Sequence, residues 1–374
     1  MTLRNSQGKG PPPDFEQARN LRQQVRASGL DPSYWYPAEW SARLRPGQVT
    51  EVIFWGQSIA LYRSHAGEVH ALANRCVHRQ LKLSGGQVSK DCLVCPYHGW
   101  TYDGTGKVVE IPHDLFGHRM PRYRVQTYPV RERYGLIWVF PGEASRAQDR
   151  PMPEIPELEG SDPWPRIDVD FTWKAHHSMV IDNVSDFTHA HLHRKYQPFQ
   201  GADLIDYGTE GDAVRLRYVT KVGRGRFSGL FVDHDRVDTN QMDLCYEYPY
   251  QWSNTADEIK HWLFVRPIDQ RTTRSFFVFY FKALKVPLLP VPLRGLVLQR
   301  ILDISKVVMI RPLLSEDGVA VEGEQEGYEA CWDAPPAELN PVVREFQRLT
   351  VRKWREHLTP PERQVRPQPA AAHA

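Results

Sequence analysis

From Trp35 onward, short apolar runs separated by turn-forming residues set the character of the first third of the chain. Segments 51–55, 58–62 and 68–72 are each bounded by turn residues, the pattern of small antiparallel β structure, and the run 136–140 closes that region. A stretch holding Pro151, Pro153, Pro156 and Pro163 among acidic residues then predicts an extended connector. Beyond it the pattern predicts a helix over 173–194, followed by strands over 213–222, 241–251, 258–268 and 273–283 that form one antiparallel sheet. Val342, Val343, Phe346, Leu349, Val351, Trp354 and Leu358 recur mostly at three- and four-residue intervals, so an amphipathic helix packs on that sheet.

These elements divide the chain into an arm (1–31), a small β domain (32–145), a linker (146–165), a larger domain of sheet and helices (166–358) and a disordered Pro/Ala tail (359–374). The arm, with its proline triplet Pro11 to Pro13, reads as loose apart from a short charged helix and is expected to carry little function. At 374 residues the chain is long enough for two cores.

Composition narrows the classes of function. The net charge of +2, from 47 basic and 45 acidic residues, implies no strong long-range field and argues against nucleic acid. Five cysteines are an odd number for a disulfide framework and suit a reducing compartment. With no apolar core to its N-terminal segment, the chain is expected in the cytoplasm. The most apolar stretch, 283–314, is broken by Pro287, Pro290, Pro292, Arg294, Arg300 and Asp303 and does not read as a membrane span.

The strongest chemical signal is Cys76 and His78, then sixteen residues, then Cys95 and His98. Two tight loops, each offering one thiolate and one imidazole, suit a Rieske cluster, in which two cysteines hold one iron and two histidines the other. Zinc is the competing reading, because two cysteines and two histidines also make a tetrahedral site and Cys92 forms a Cys-x-x-Cys pair with Cys95. Against zinc stand the Cys-x-His order and the turn residues Pro96 and Gly99, which leave Cys92 a buried bystander.

A second constellation lies at Asp182, Asn183, Asp186, His189, His191 and His193. On a helix, His189 and His193 share one face with Asp186, while His191 points away. Two histidines need a carboxylate to complete the facial triad of a non-heme Fe(II) site.

The Cys-x-His and Cys-x-x-His pair followed by Gly99 and Trp100, with Trp35, Tyr36 and Pro37 and with Asn74 and Arg75 before Cys76, resembles the Rieske domain of the Rieske non-heme iron aromatic-ring-hydroxylating oxygenases. The resemblance implies an α+β chain: an all-β 2Fe-2S domain, then a helix-grip-like catalytic domain holding a mononuclear Fe(II). Asp317, in the acidic segment 315–322, matches the family's ligand aspartate, with Glu316 as runner-up. The family commonly has four residues between its two histidines where this chain has three, which keeps His191 in view beside His193.

The family's pattern also gives Asp186 the role of bridging His98 of one subunit to His189 of the next, within a homotrimer, and gives Asn183 a place near the iron. What it implies chemically is a terminal oxygenase that uses O2 and electrons from a separate NAD(P)H-dependent reductase, with or without a ferredoxin. No dinucleotide-binding glycine fingerprint is visible in the chain. The apolar segment 286–298 predicts a hydrophobic, polycyclic substrate (a steroid, triterpenoid or tetrapyrrole) or a peripheral membrane contact, against a buried helix and loop as the alternative. Hydroxylation or demethylation is favoured; cis-dihydroxylation of an aromatic ring, or a non-catalytic electron-transfer or zinc-binding role, are the competing functions.

Overall fold

The computed structural model describes residues 10–120, 122–193, 199–222, 239–283, 292–335 and 337–359. After helix α1 (Leu21–Ala27) come strands β1 (Tyr36–Trp40), β2 (Val49–Phe54), β3 (Gln57–Arg63), β4 (Val69–Ala73), β5 (Gln87–Ser89), β6 (Cys92–Val94), β7 (Thr101–Tyr102), β8 (Val108–Glu110), β9 (Thr127–Tyr128), β10 (Val130–Arg133) and β11 (Leu136–Val139). They form three small antiparallel sheets with strand orders β1-β11-β10, β2-β3-β4-β9 and β5-β6-β7-β8. Strand β3 reads as a continuous apolar run because both its faces are covered: Ala60 and Tyr62 enter one core, Ile59 and Leu61 another.

The larger domain contains β12 (Arg166–Trp173), α2 (His177–Ser185), β13 (Phe199–Glu210), β14 (Ala213–Val222), β15 (Thr239–Glu247), β16 (Tyr250–Thr255), β17 (Ile259–Asp269), β18 (Thr272–Phe281), α3 (Gly295–Ser305), α4 (Arg311–Cys331) and α5 (Pro341–Leu358). Its antiparallel sheet runs β12-β18-β17-β16-β15-β14-β13. One face carries Leu216, Leu244, Tyr246, Leu263 and Phe277 against the helices, among them Val342, Phe346 and Leu349 of α5. The opposite face carries Trp262, Phe264, Phe276 and Val278, which pack with Trp35, Trp138 and Phe140 of the β domain. Alternate side chains of the same strands therefore build both the core of the larger domain and the seam between domains. Helix α5 starts where it does because Asn340 accepts from the Val342 amide and Pro341 fits the first turn.

Several expectations need correction. The helix expected over 173–194 is strand to Trp173, then α2, then a 3-10 turn at Phe187–His191 with a kink at His189; residue 194 lies outside the described residues. The run 241–251 is two strands, β15 and β16, divided by a turn with a cis Tyr248-Pro249 bond. Strands β12 and β13 belong to the same sheet and went unread, since Asp168, Asp170, Asp203 and Asp206 interrupt their apolar pattern. The connector 146–165 packs on the seam through Ala147, Met152 and Ile155. The tail beyond 359 and the segment 286–291 lie outside the described residues.

The short charged helix expected at the end of the arm is α1, and it is anchored. From α1, the buried Arg26 donates to Ser178 at 2.6 Å and pairs with Asp182 at 2.9 Å and Glu324 at 2.7 Å, tying α1 to α2 and α4. Gln347 of α5 donates to the same Asp182 oxygen at 2.8 Å. Removing one member of a buried ion pair strands the other charge, so Arg26→Ala is expected to cost about 3–5 kcal/mol. A denaturant titration checks this, and a cost below about 1 kcal/mol would mean the arm does not brace the helices.

Candidate metal centres

Two loops of matching shape carry the first set of ligand types. Cys76 and His78 follow β4, and Cys95 and His98 lie between β6 and β7. In each loop the cysteine amide is bonded across the turn, Cys76 to the Leu81 carbonyl and Cys95 to the Trp100 carbonyl, both at 2.9 Å. In each, the fourth residue after the cysteine has positive φ, Gln80 (63°) and Gly99 (70°). A Cβ at Gly99 would stand 2.7 Å from Pro112, so the second loop requires glycine on both counts.

The sulfurs are buried and the imidazoles reach the surface. The rings of His78 and His98 lie 4.6 Å apart, and His78 stacks on Trp100 at 4.8 Å. Backbone amides of Tyr97 and His98 point at the Cys95 sulfur, while burial is the larger effect and pushes that thiol's pKa up. Tyr102 accepts from the Val77 amide at 3.0 Å, leaving its hydroxyl proton for the Cys76 sulfur at 3.1 Å. His78 Nδ1 is enclosed with no hydrogen-bond partner.

Two buried sulfurs with donors aimed at them, opposite two neighbouring imidazoles, fit a 2Fe-2S cluster. Cys92 is free and half-buried in β6, outside this set. Donors to the sulfurs favour the more negative, reduced state. Tyr102→Phe is therefore expected to lower the reduction potential by roughly 50 mV, at 59 mV per tenfold for one electron. An EPR redox titration reads the shift, and an unchanged potential would contradict it.

The second set converges from three elements. Helix α2 ends at Ser185, and Asp186 caps the next turn by accepting from the Thr188 amide at 3.0 Å. That turn presents His189, and the chain then carries His193 inward, so the two histidines meet through a kinked turn rather than along one α-helical face. Asp317 comes from the middle of α4, across from them. Its Oδ1 lies 3.6 Å from His189 Nε2 and 3.5 Å from His193 Nε2, and one ligand atom from each residue falls within a 4.8 Å group.

The surroundings suit a cation. Asp317 Oδ1 is buried and accepts no hydrogen bond, and burial raises the carboxyl pKa to about 6 in the absence of a positive charge. Burial likewise holds His189 neutral, lowering its pKa to about 4, the form in which imidazole donates a lone pair. The Asp186 backbone bonds the His189 ring, and Glu316 holds His193 Nδ1 at 3.0 Å, turning Nε2 to the site. Glu316 thus supports a histidine, Asn183 bonds the Asp317 side chain, and His191 is exposed. Two imidazoles and a bare carboxylate oxygen fit a mononuclear Fe(II) with open positions.

What the sequence did not disclose is the packing that sets Asp317. A Cβ on Gly318 would stand 2.4 Å from the Trp173 indole nitrogen, so only glycine lets α4 approach the end of β12. Gly318→Ala is expected to cost about 1–3 kcal/mol and to lower iron occupancy. Thermal unfolding with a parallel metal count tests both, and an unaltered protein would contradict the close-approach argument.

Asp186 Oδ1 also accepts from Thr188 Oγ1 at 2.7 Å and from Asn340 Nδ2 at 2.9 Å, which fixes the turn against the start of α5. Around the other centre the histidine edge is rimmed by exposed Leu81, Tyr97 and Tyr123. Exposed apolar side chains grouped at one edge make a surface suited to docking.

Comparison with known proteins agrees with both centres. Residues 34–129 match the Rieske [2Fe-2S] domain and residues 173–359 the vanillate O-demethylase oxygenase C-terminal domain. The chain is 46% identical over 352 residues to a 4beta-methylsterol monooxygenase of Methylococcus capsulatus, covering 94% of this chain and 95% of that one. A cholesterol 7-desaturase of Ciona intestinalis is 33% identical over 193 residues, 50% of this chain and 40% of the relative. In fold the chain is similar to apo dicamba monooxygenase, with a TM-score of 0.69 at 20% identity, over 88% of this chain and 99% of that one.

Proposed function

The chain belongs to the Rieske oxygenase family, with both characteristic domains in one polypeptide, and from that premise we propose that it oxidises a methyl group of a sterol. It is an O2-dependent oxygenase that carries a 2Fe-2S cluster and a mononuclear iron. When bound, these groups supply single electrons and activate dioxygen. Monooxygenation places one oxygen atom in a C–H bond and releases the other as water, consuming two electrons and two protons.

The protein's own part is positional. Cys76, His78, Cys95 and His98 would hold the cluster, with Tyr102 tuning its sulfur. His189, His193 and Asp317 would hold the iron, with Glu316 and the Asp186 backbone orienting the imidazoles and Asn183 the carboxylate. The single observation that most favours a sterol is the 46% identity along 94% of the chain to a methylsterol monooxygenase; it also favours monooxygenation over cis-dihydroxylation.

Electrons must come from a partner reductase, since the chain has no dinucleotide fingerprint. A homotrimer in which the half-buried His98 of one subunit meets Asp186 of the next suits the position of the histidine edge near the surface. Free cysteines suit a cytoplasmic setting, and no helix among the described residues is long and apolar enough to cross a membrane.

Peripheral contact with a membrane fits the outer side of α3 and of the π-helical turn that follows it, Lys306–Ile310. Leu296, Val297, Ile304, Val307 and Val308 are exposed there beside Arg294 and Arg300, an apolar stripe flanked by cations. Co-sedimentation with anionic vesicles is expected and should be lost in Leu296→Asp/Ile304→Asp; binding unaffected by the pair would exclude this face.

The deciding experiment for the function is mass spectrometry of products from the reconstituted enzyme, a compatible reductase and 4-methylsterols. An oxygenated methyl group is the predicted product. Activity confined to small charged aromatics would overturn the sterol reading.

A further inference from the structure

Among the side chains that face the helices from the large sheet, Gln251, Ser253 and His261 lie together within a largely apolar field. In the antiparallel register Ser253 lies between Leu244 and His261, and His261 lies beside Phe279. Gln251, on the same face two residues before Ser253, lies between Tyr246 and Leu263. Directly opposed residues share a face, so Gln251, Ser253 and His261 form one polar island near the middle of the sheet.

Their hydrogen bonds are only half used. Gln251 Nε2 donates to Ser185 Oγ at 2.5 Å, and Ser185 in turn donates to the Ile181 carbonyl. Gln251 Oε1 is enclosed with no partner. Ser253 Oγ meets His261 Nδ1 at 2.5 Å, while His261 Nε2 is enclosed with no partner.

A serine hydroxyl that donates to Nδ1 places the ring hydrogen on Nε2, the arrangement assigned to this pair. Burial lowers the His261 pKa to about 4 and keeps the ring neutral, so one ring nitrogen donates and the other accepts. The island therefore offers one unused acceptor, Gln251 Oε1, and one unused donor, His261 Nε2–H. Leaving both buried and unpaired is costly unless a ligand satisfies them.

We infer that Gln251 and His261, the latter set by Ser253, recognise the hydroxyl group of an otherwise apolar substrate. A hydroxyl donates once and accepts, so it complements the pair; an ether or a ketone can only accept. The inference rests on the sterol reading and extends it to the end of the molecule that is bound. In a 4-methylsterol the hydroxyl-bearing carbon adjoins the methyl-bearing one. Gln251 is anchored to Ser185, the residue before Asp186 and four before His189. Holding the hydroxyl here would keep the neighbouring methyl group on the iron side of the molecule.

The test compares binding of a 4-methylsterol, its 3-deoxy analogue and its 3-methyl ether to the holoenzyme, by displacement of a fluorescent sterol. Wild type is expected to bind the hydroxylated form about 10- to 100-fold more tightly than either analogue. In Gln251→Leu and His261→Phe that preference should fall several-fold, with the cluster absorption confirming folded protein. Ser253→Ala should reduce it less, because it frees the tautomer without removing the donor ring. Equal binding of all three ligands by wild type would overturn the inference while leaving a sterol site intact. A preference unchanged in both variants would also overturn it. Failure of every sterol to displace the probe would instead remove the sterol reading, and this inference with it.

Discussion

Replacing Asp317 by alanine is expected to empty the mononuclear site while the 2Fe-2S spectrum stays unchanged, and to lower turnover by more than about a hundredfold. The expectation follows from the position of Asp317 Oδ1, the buried carboxylate oxygen facing both imidazole Nε2 atoms at 3.5 and 3.6 Å. Losing a partner that only supports a ligand typically costs tenfold to a hundredfold, so losing a ligand should cost more. The cluster should be untouched because its four residues lie on loops of the small β domain, after β4 and between β6 and β7, away from α4. An iron count with EPR on the variant reads both centres at once. Wild-type iron with full activity would refute the assignment and return attention to Glu316.

The second large effect concerns Asp186, where two roles can be separated by choice of substitution. Its Oδ1 accepts from Thr188 and Asn340 and so shapes the turn carrying His189. Asparagine keeps that acceptor and removes only the charge. Asp186→Asn is therefore expected to retain both metals yet slow turnover about 10- to 100-fold, if the carboxylate couples the two centres through His98 of a neighbouring subunit. Asp186→Ala should lose iron occupancy as well. Rapid mixing of the reduced enzyme with O2 and substrate isolates the step, since a coupling defect slows reoxidation of the cluster itself. Unchanged reoxidation in the asparagine variant would limit Asp186 to its capping role.

Much of this site could be read from the residues because its chemistry imposes short spacings. Cys76 with His78 and Cys95 with His98 must each occupy one tight loop, and the two loops have the same cross-turn bond and the same left-handed fourth residue. The inward position of His193 and the exposure of His191 follow from the turn after α2, although that turn is 3-10 and kinked where an α-helix was expected. The error has a physical cause: an i, i+4 histidine pair suits a helix, but Asp186 caps a new turn and ends the old one.

Other features are set by contacts between residues far apart in the chain. Arg26 would look like one more surface charge on a polar arm, yet it is buried against Asp182 and Glu324. Glu316 as the holder of His193, and Gly318 as the glycine that admits Trp173, depend on where α4 crosses the sheet. Strand β12 alternates Ile167 and Val169 with Asp168 and Asp170, and those aspartates meet Arg166, Arg43 and Arg274 at the domain seam. Periodicity alone cannot tell such a strand from a solvated loop.

The account rests on one polypeptide assembling two different iron centres. Metal and acid-labile sulfide analysis of anaerobically purified protein, with EPR of the reduced form, tests it most directly. About three irons and about two sulfides per chain, with a Rieske-type signal and separate high-spin Fe(II), is the predicted result. Colourless protein holding a single zinc, or two irons with no third after reconstitution, would contradict it.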